Sequence, residues 1–540
     1  MMDFPLTIGS MLERAEKFFP KKQVISRTST GVSRFTYKQI GARTRQLASA
    51  LKKLGISKGD RVGTLAWNHH RHLEIYFAAP GMGAILHTIN LRLSQEHLIY
   101  VINHAEDKVL LIDDDLLPLI EPLKDRLKSV EAFIVMSDYE ELPQTTLSPV
   151  YSYEKLLAEA DETYEFEKKI DENEPAGMCY TSATTGNPKG VTYSHRGIVL
   201  HSFAMALADS AALSESDRCM PVVPMFHANA WGLPFAATWL GSTQVLPGPQ
   251  FTPKLIAQLI ESEKVTITAG VPTIWLGLLK ELDEGNYDTS CLRAVLCGGS
   301  AAPLGMIRAY ETKYNIPFIH AYGMTETSPL VTISRLKSYQ EDLPEEEKLN
   351  VRAKQGLLVP GLEMKVIGAN GEVAWDGEEM GELLVRGPWI ANEYYHDERT
   401  NEAFGNGWLY TGDVVTVDEE GFVKVIDRTK DLIKSGGEWI SSVDLENALM
   451  AHDAVFEASV VAVAHPEWQE RPVACVVLKD DYRTTVSKEE LMDFLSKQFV
   501  TWWLPDDIIF LDEIPKTSVG KFMKRKLRDQ LKNHLIEETT

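Results

Sequence analysis

The stretch CYTSATTGNPKGV, residues 179–191, places four Ser and Thr hydroxyls directly before a glycine, a lysine and a second glycine. Backbone N–H groups, hydroxyls and an ammonium in a glycine-rich turn are the groups that surround a bound polyphosphate. The stretch is not a Walker A loop, because the pattern GxxxxGK[ST] occurs nowhere in the chain. We therefore predict a phosphate-binding loop of another kind, with the candidate residues Thr181, Ser182, Thr184, Thr185, Gly186 and Lys189.

On both sides of this loop, short apolar runs alternate with amphipathic stretches. Apolar runs of this length indicate buried strands, and the stretches between them, such as 38–54 and 303–314, have helical periodicity. Strands that alternate with helices in this way are typical of βαβ units on largely parallel sheets. The predicted strands are residues 61–67, 108–113, 131–136, 265–269 and 293–298.

The pattern changes after about residue 360. Strand-like runs flank an Asn370-Gly371 turn, which predicts a β-rich subdomain at about 355–427. The last part of the chain mixes helices with strands, and the charged, glycine-rich stretch DRTKDLIKSGGEWIS (427–441) precedes it. We predict an α/β protein with a large N-terminal domain of parallel αβα sheets (1–427), a hinge (428–431) and a small mobile α+β C-terminal domain (432–540).

Composition excludes several classes of protein. The formal net charge of −22 disfavours binding to nucleic acid and to anionic lipid, so an anionic ligand must meet local positive charge. The five cysteines contain no CxxC pair, which favours a reducing compartment. The N-terminus shows no basic region followed by an apolar one, so we expect no secretory signal and a cytoplasmic protein.

The segment from Cys219 to Pro253 contains no Asp, Glu, Lys or Arg, and it is long enough to cross a bilayer. Its many prolines and His227 argue against a membrane span, because each break in a helix leaves backbone groups unpaired in lipid. We predict a buried core segment that includes the wall of an apolar pocket, with no transmembrane segment and at most peripheral membrane contact.

Three further motifs carry candidate chemistry. In YGMTETSP (322–329), a hydroxyl beside a carboxylate suits a magnesium–nucleotide complex. In YTGD (410–413), Asp413 can accept hydrogen bonds from ribose hydroxyls, although a lone Asp in a turn usually caps the turn. In PKTSVGKFMKR (515–525), Lys521 follows a glycine at the start of a basic stretch.

In this order and spacing, the motifs resemble those of the acyl-adenylate-forming superfamily, which includes acyl-CoA synthetases, adenylation domains and luciferases. The resemblance covers nearly the whole chain and is closest to medium- and long-chain fatty-acyl-CoA synthetases. It implies an AMP-forming fatty acid–CoA ligase that uses ATP, CoA and Mg²⁺, forms an acyl-AMP intermediate and rotates its C-terminal domain between two half-reactions. It also implies a possible homodimer.

The resemblance assigns roles to residues of this chain. Residues 180–190 surround the β- and γ-phosphates, Thr325 contacts the α-phosphate and Glu326 holds Mg²⁺. The residues implied for adenine and ribose are Ser300, Ala301, Ala302, Tyr322, Asp413 and Arg428. Lys521 reaches the reacting carboxylate and α-phosphate, and Lys430 is the hinge. The residues implied for CoA are Lys434, Ser435, Gly436 and Gly437.

The acid to be activated is predicted from the charge-free segment. An amino-acid substrate would need an anionic partner for its ammonium group, and the segment has none. His227 occupies the position of an aromatic residue beside the carboxylate in the family, and a hydrogen-bonded core histidine is an equally weighted alternative. With Trp231 and Leu233 it makes the predicted acyl pocket. No carrier domain follows Lys521, so we expect free CoA as the acceptor.

Alternative functions and two details stay open at this point. A ligase for short-chain or aromatic acids is one alternative, and a non-catalytic acyl- or nucleotide-binding protein is another. Related enzymes usually have a glycine where this chain has Ala183, and we predict that φ at Ala183 is not positive. His69, His70 and His72 make a zinc site only as a minority hypothesis, because no further ligand lies nearby in the sequence.

Overall fold

The computed structural model of the chain describes residues 1–181, 186–249, 251–436, 438–517, 520–532 and 534–537, and within these ranges it forms four β-sheets. Two of the sheets are largely parallel, one is antiparallel, and the last is mixed. This arrangement confirms the predicted α/β fold class. The limits predicted for the domains and the hinge stay predictions.

The first sheet contains the strand that leads into the predicted phosphate loop. All its neighbouring strands are parallel except the last two, which pair antiparallel on either side of the loop. In spatial order the strands are Val150–Ser152, Ala132–Met136, Asp107–Asp113, Arg61–Leu65, Ile85–Thr88, Pro175–Tyr180 and Gly190–Ser194.

The second sheet is parallel in its centre and antiparallel at both ends. In spatial order its strands are Leu357–Leu358, Leu330–Ile333, Phe318–Gly323, Ala294–Cys297, Ile267–Gly270, Arg218–Pro221, Thr243–Leu246, Gln23–Arg27 and Val32–Thr36. The carboxyl ends of its central parallel strands all face one edge, where open α/β sheets place ligands.

The third sheet is antiparallel, and its strands are Gly371–Glu372, Glu363–Gly368, Gly381–Arg386, Trp408–Val417, Phe404–Gly405 and Val423–Arg428. A turn at residues 369–370 joins the first two, one residue before the predicted Asn370-Gly371 turn. The fourth sheet lies in the C-terminal part, and its strands are Glu438–Ile440, Ile433–Ser435, Gln469–Leu478, Val455–His465 and Asp507–Phe510.

Helices cover the sheets. Those in the first half of the chain are Ile8–Phe18, Tyr37–Lys53, His70–Gly81, Gln95–Ala105, Leu117–Ile120, Tyr153–Ala158, His195–Ala206, Leu233–Leu240 and Pro253–Ser262. Those that follow are Pro272–Glu284, Leu304–Arg308, Glu345–Ala353, Thr400–Ala403, Ser442–Met450, Lys488–Ser496, Lys524–Gln530 and His534–Glu537.

The predicted strands and the first predicted helix agree with the structure to within a few residues. The helix predicted at 303–314 begins after Pro303, and its second half, Ala309–Lys313, is a wider π-helical turn. Residues 219–249 lie mostly buried, as predicted for a core segment. Among the described residues, no helix is both long and apolar enough to cross a membrane.

The histidines of the sequence NHHRH are engaged within the protein. The His69 Nε2 atom lies 2.7 Å from Asp113 Oδ1, and His69 precedes the first residue of the helix that contains the other two. Both ring nitrogens of His72 lie 3.0 Å from protein oxygens, those of Thr64 and Trp67. Within the described ranges, no group of three His, Cys, Asp or Glu side chains is placed to hold a metal ion.

Trp275 is hydrogen-bonded to two neighbouring strands of the second sheet. The side chain is fully buried, and its Nε1–H donates to the carbonyl oxygens of Gly270 and Leu296, at 3.0 and 3.1 Å. We predict that Trp275→Ala lowers the free energy of unfolding by about 3–5 kcal/mol, because it leaves a cavity and removes two buried hydrogen bonds. Trp375 is 47% exposed, and Trp375→Ala should change stability by about 0.5 kcal/mol or less. Urea denaturation measures both, and equal shifts would contradict the prediction.

Candidate functional site

A cavity of about 460 Å³ lies where the second and third sheets meet the predicted phosphate loop and the C-terminal part of the chain. Its lining includes charged and polar residues: Thr181, Asn187, Lys189, Tyr322, Thr325, Glu326, Glu382, Tyr394, Arg399, Glu402, Tyr410, Arg428, Lys430 and Lys521. It also includes residues without charge: Met205, His227, Trp231, Leu233, Ala269, Leu296, Leu330 and Ile333.

The two ends of the predicted phosphate loop are hydrogen-bonded to each other. The Thr181 backbone N–H donates to the Lys189 carbonyl at 2.9 Å, and the Lys189 N–H donates to Thr181 Oγ1 at 3.1 Å. Gly186 has φ of 69°, in the left-handed region that glycine adopts without strain. The structure therefore brings Thr181, Gly186 and Lys189 to one edge of the first sheet.

A tyrosine connects the lysine of this loop to Glu326. The Lys189 ammonium donates to the Tyr394 hydroxyl at 2.7 Å, and that hydroxyl donates to Glu326 Oε1 at 2.6 Å. The ammonium also lies 4.0 Å from the centre of the Tyr394 ring. Tyr394 is buried, so these contacts hold a cation and a carboxylate side by side at the cavity wall.

Asp413 and Arg428 face each other on neighbouring antiparallel strands. The Arg428 Nε atom lies 3.2 Å from Asp413 Oδ1, and the Tyr322 hydroxyl donates to Asp413 Oδ2 at 2.5 Å. The Asp413 carboxylate raises the pKa of Arg428, so the guanidinium stays charged. Tyr322 comes from the end of a strand of the second sheet, which links the two sheets at the cavity.

Lys521 enters the cavity from the C-terminal part of the chain. Its backbone N–H donates to Thr517 Oγ1 at 3.1 Å, which closes a tight turn. A Cβ atom placed on Gly299 would lie 3.3 Å from Lys521 Cε, so the side chain passes close to glycine backbone. Burial, together with the charge of Arg428, lowers the pKa of Lys521 to about 8. A lysine with this pKa changes charge near neutral pH.

His227 lies against the same cavity. Burial and the nearby Lys521 ammonium lower its pKa to about 3, so the imidazole is neutral. It belongs to the same lining as Lys521 and Trp231. This position agrees with the prediction of a residue beside the reacting carboxylate, and that role stays a prediction.

The chain after His227 makes a left-handed turn at the apolar wall. Ala228, Asn229, Ala230, Trp231 and Gly232 all have positive φ, from 42° to 72°. Non-glycine residues in this region cost about 1–2 kcal/mol each, so surrounding contacts must hold the turn. The turn places Trp231 at the cavity, and the helix that follows adds Leu233.

Some predicted site residues lie away from the cavity lining. Ser300 is exposed, Ala301 is half-buried, and Ala302 packs in a hydrophobic cluster that includes Trp275. Of the residues predicted for CoA, Lys434 is exposed and Ser435 accepts from Arg471 Nη1 at 3.1 Å. Their predicted roles stay predictions.

Gly436 belongs to the fourth sheet region, where its backbone N–H donates to Trp468 at 2.9 Å. The predicted residues Ser182, Thr184, Thr185 and Gly437 lie outside the described residues, and so does Ala183 with its predicted φ.

Residues at the cavity that were not predicted from the sequence include Tyr394, Arg399 and Glu382. Tyr394 and Arg399 belong to the stretch YYHDERT (394–400), which precedes the YTGD motif in the chain. Glu382 accepts a hydrogen bond from the Gly412 N–H at 3.0 Å and so supports that motif. The only signal in the sequence was a group of aromatic and charged residues shortly before the YTGD motif. Such a group does not predict which of its members contact the phosphate loop.

Comparisons with known proteins cover almost the whole chain. A model of the family described as "AMP-binding enzyme" matches residues 12–395, and a model of the "AMP-binding enzyme C-terminal domain" matches residues 444–521. A long-chain-fatty-acid–CoA ligase of Thermus thermophilus is 50% identical over 99% of this chain and 97% of its own length. A medium-chain-fatty-acid–CoA ligase of Ectopseudomonas oleovorans is 42% identical over 100% of this chain and 98% of its own.

Among solved structures, the anthranilate CoA ligase AuaEII in complex with anthranoyl-AMP is similar in fold. The TM-score is 0.88 with 26% sequence identity, and the match covers 99% of each chain. The similarity therefore includes the arrangement of the N-terminal and C-terminal parts.

Gly232 ends the left-handed turn and has no room for a side chain. A Cβ atom would lie 2.6 Å from His201 Nδ1, and φ is 72°. We predict that Gly232→Ala lowers the free energy of unfolding by about 2 kcal/mol or more, because strain and overlap add. Thermal and urea denaturation measure the change.

The matched control is Gly305→Ala. Gly305 lies in the helix Leu304–Arg308, and a Cβ there would meet nothing within 4 Å. This variant should be stabilised by up to about 1 kcal/mol, because alanine favours the helix. If Gly232→Ala and Gly305→Ala shift the unfolding midpoint by the same amount, the left-handed turn does not require glycine at position 232.

Proposed function

The chain belongs to the AMP-binding enzyme family, and we propose that it joins a fatty acid to coenzyme A in two steps. In the first step the acid attacks ATP, which gives acyl-AMP and pyrophosphate. In the second step the thiol of CoA attacks the acyl carbonyl, and AMP leaves. The family match confirms the resemblance predicted from the sequence.

The mixed lining of the cavity carries this proposal. It includes the cations Lys189, Arg428 and Lys521 together with the apolar side chains Trp231 and Leu233. A fatty acid has a carboxylate and an apolar tail, and this lining offers contacts for both. The two ligases of long- and medium-chain fatty acids, which are 50% and 42% identical to this chain, support the same substrate class.

The first step brings a carboxylate up to a polyphosphate, and both are anionic. The acid is already ionised at neutral pH, so no general base is required. What the site must supply is positive charge where negative charge accumulates in the transition state. Lys521 is placed for this role, since it reaches the cavity beside neutral His227 and close to Arg428. Asp413 and Arg428 would hold the ribose, and Thr325 the α-phosphate.

Glu326 is the residue that would hold Mg²⁺. Its carboxylate is almost fully buried and lines the cavity beside Lys189. Mg²⁺ is usually held by one or two carboxylates together with phosphate oxygens, so a single Glu facing a polyphosphate fits. When bound, Mg²⁺ neutralises charge on the phosphates.

The second step needs a different arrangement of the C-terminal part. With Lys521 in the cavity, the described residues of the predicted CoA loop, Lys434, Ser435 and Gly436, do not line it. Rotation about Lys430 would withdraw Lys521 and bring this loop to the acyl-AMP. Lys430 itself lines the cavity at the start of the C-terminal part, which suits a hinge.

An aromatic acid is the second candidate substrate. One of the solved structures similar to this chain is an anthranilate CoA ligase, and an aromatic ring also fits a lining that contains Trp231. A homodimer and a cytoplasmic location also stay predictions.

The substrate proposal is tested by acid-dependent ATP–pyrophosphate exchange with acetate, octanoate, palmitate and benzoate. We expect the highest kcat/KM for octanoate or palmitate, since each buried methylene contributes about 0.8 kcal/mol. A maximum at acetate or benzoate would exclude the fatty-acid proposal. Ligand binding without AMP release for any acid, with CoA present, would favour a non-catalytic binding protein.

Lys521 should carry much of the first step. We predict that Lys521→Ala slows acid-dependent exchange by about a hundredfold to a thousandfold, the effect of losing one preorganised donor of about 3–4 kcal/mol. Because exchange does not involve CoA, it isolates the first step. An unchanged exchange rate in Lys521→Ala would therefore refute the role.

The pH dependence gives a second readout of the same residue. Since the pKa of Lys521 is about 8, the ammonium is present below this pH and lost above it. The kcat/KM of exchange, which reports on the free enzyme, should therefore fall above about pH 8. In Lys521→Arg the fall should disappear, even if the rate is lower, because arginine stays charged. The same fall in that variant would assign the titration to another group.

A further inference from the structure

Arg399 is a second cation at the end of the cavity formed by the predicted phosphate loop. Its guanidinium lines the cavity together with Lys189 and Asn187. Neither the motifs nor the roles implied by the family resemblance include it. Burial lowers the pKa of Lys189, and the Arg399 charge lowers it further, which indicates that the two cations lie close together.

The guanidinium is held in a fixed orientation. Its Nε–H donates to Asp397 Oδ1 at 2.8 Å, and Nη2 donates to the other oxygen of the same carboxylate. On the opposite side, Nη1 donates to the Asn187 carbonyl oxygen at 3.0 Å. Asn187 belongs to the loop itself, so Arg399 is tied to the loop and cannot swing freely into solvent.

The segment that carries Arg399, residues 391–403, is itself attached to the site, and we call it the strap. The Ala391 N–H donates to the Glu326 carbonyl at 2.8 Å, and the Tyr395 N–H donates to the Gly190 carbonyl at 2.8 Å. The strap thus contacts both the end of the loop and the residue proposed to hold Mg²⁺. Its position, and that of Arg399, is set by the same elements that would surround the phosphates.

Part of the guanidinium is available to a ligand. Arginine has five N–H groups, and the contacts with Asp397 and Asn187 use three of them. With respect to the residues that the structure describes, the other two have no partner, and the side chain is about one-third exposed at 34%. Planar N–H groups of this kind match the oxygens of a phosphate.

We propose that Arg399 binds the β- and γ-phosphates of ATP and retains the pyrophosphate after it leaves. The inference rests on the proposed function and adds a residue to it. Asp397 and the Asn187 carbonyl hold the guanidinium in place, and its two remaining N–H groups bind phosphate oxygens beside Lys189. AMP has no β- or γ-phosphate, so it does not reach Arg399.

The test measures the affinities of Arg399→Gln for ATP, pyrophosphate and AMP by isothermal titration calorimetry, in the presence of Mg²⁺ and without acid or CoA. Loss of a charged hydrogen-bond donor should weaken ATP and pyrophosphate by about tenfold or more. Affinity for AMP should stay within about twofold of the unsubstituted protein. Arg399→Lys keeps the charge without the planar fork, and it should give intermediate affinities for ATP and pyrophosphate.

The control variant is Arg126→Gln. Arg126 makes a two-bond ion pair with Glu96, at 2.8 and 2.7 Å, outside the cavity lining. Its loss removes the same kind of pair and should leave the affinities for all three ligands unchanged. Thermal denaturation of each variant checks that the protein is folded. If Arg399→Gln does not fold, the ligand affinities are compared on Arg399→Lys instead.

Each contrary result has a separate meaning. Equal weakening of AMP and ATP would show that Arg399 only positions the loop through Asn187, and the inference would be wrong. Unchanged affinity of Arg399→Gln for pyrophosphate would also overturn the inference. The proposed function would still stand if the unsubstituted protein catalyses acid-dependent exchange. If Arg399→Gln selectively loses ATP and pyrophosphate binding, but the unsubstituted protein activates none of the acids, the role of Arg399 would be supported and the proposed ligase activity refuted.

Discussion

The ion pair between Asp413 and Arg428 joins the parts of the molecule that meet at the cavity. The two residues face each other on strands of the third sheet, and Asp413 also accepts the hydroxyl of Tyr322 from the second sheet. Asp413 is almost fully buried, and an unpaired buried carboxylate is costly, so both partners must stay in place. Arg428 ends the third sheet, and the chain then continues into the C-terminal part that carries Lys521. The pair thus ties the second sheet to the strand from which the chain continues toward Lys521.

The distribution of charge explains why this contact matters. The chain as a whole has a net charge of −22, which would repel a polyphosphate. The cavity lining supplies local positive charge with the side chains Lys189, Arg399, Arg428, Lys430 and Lys521, next to the carboxylates of Glu326, Glu382 and Glu402. Burial lowers the pKa of Lys521 in the ligand-free protein, and repulsion by the charge of Arg428 lowers it further. An anionic ligand relieves this repulsion, so binding of the polyphosphate and protonation of Lys521 favour each other.

Much of the fold could be predicted from the sequence because its signals are local. Apolar runs such as 61–67 and 293–298 form strands at nearly the predicted residues, since a buried parallel strand needs a continuous apolar stretch. The helix predicted at 303–314 differs only in its second half, where a π-helical turn replaces the regular one. Thr181 and Lys189 were predicted from one motif and Glu326 and Lys521 from two others, and all four line one cavity. Motifs reveal such residues because short patterns around them are distinctive.

The sequence by itself determined the α/β fold class, the family and the loop at 179–191, because each depends on residues that are close together in the chain. Only the tertiary structure decided which side chains meet across long separations. The contacts of Tyr394 with Lys189 and Glu326, and of Arg399 with Asn187, join segments far apart in sequence, so no local pattern predicts them. The left-handed turn at 228–232 was equally hidden, since alanine and tryptophan do not favour positive φ and only the surrounding packing holds them there.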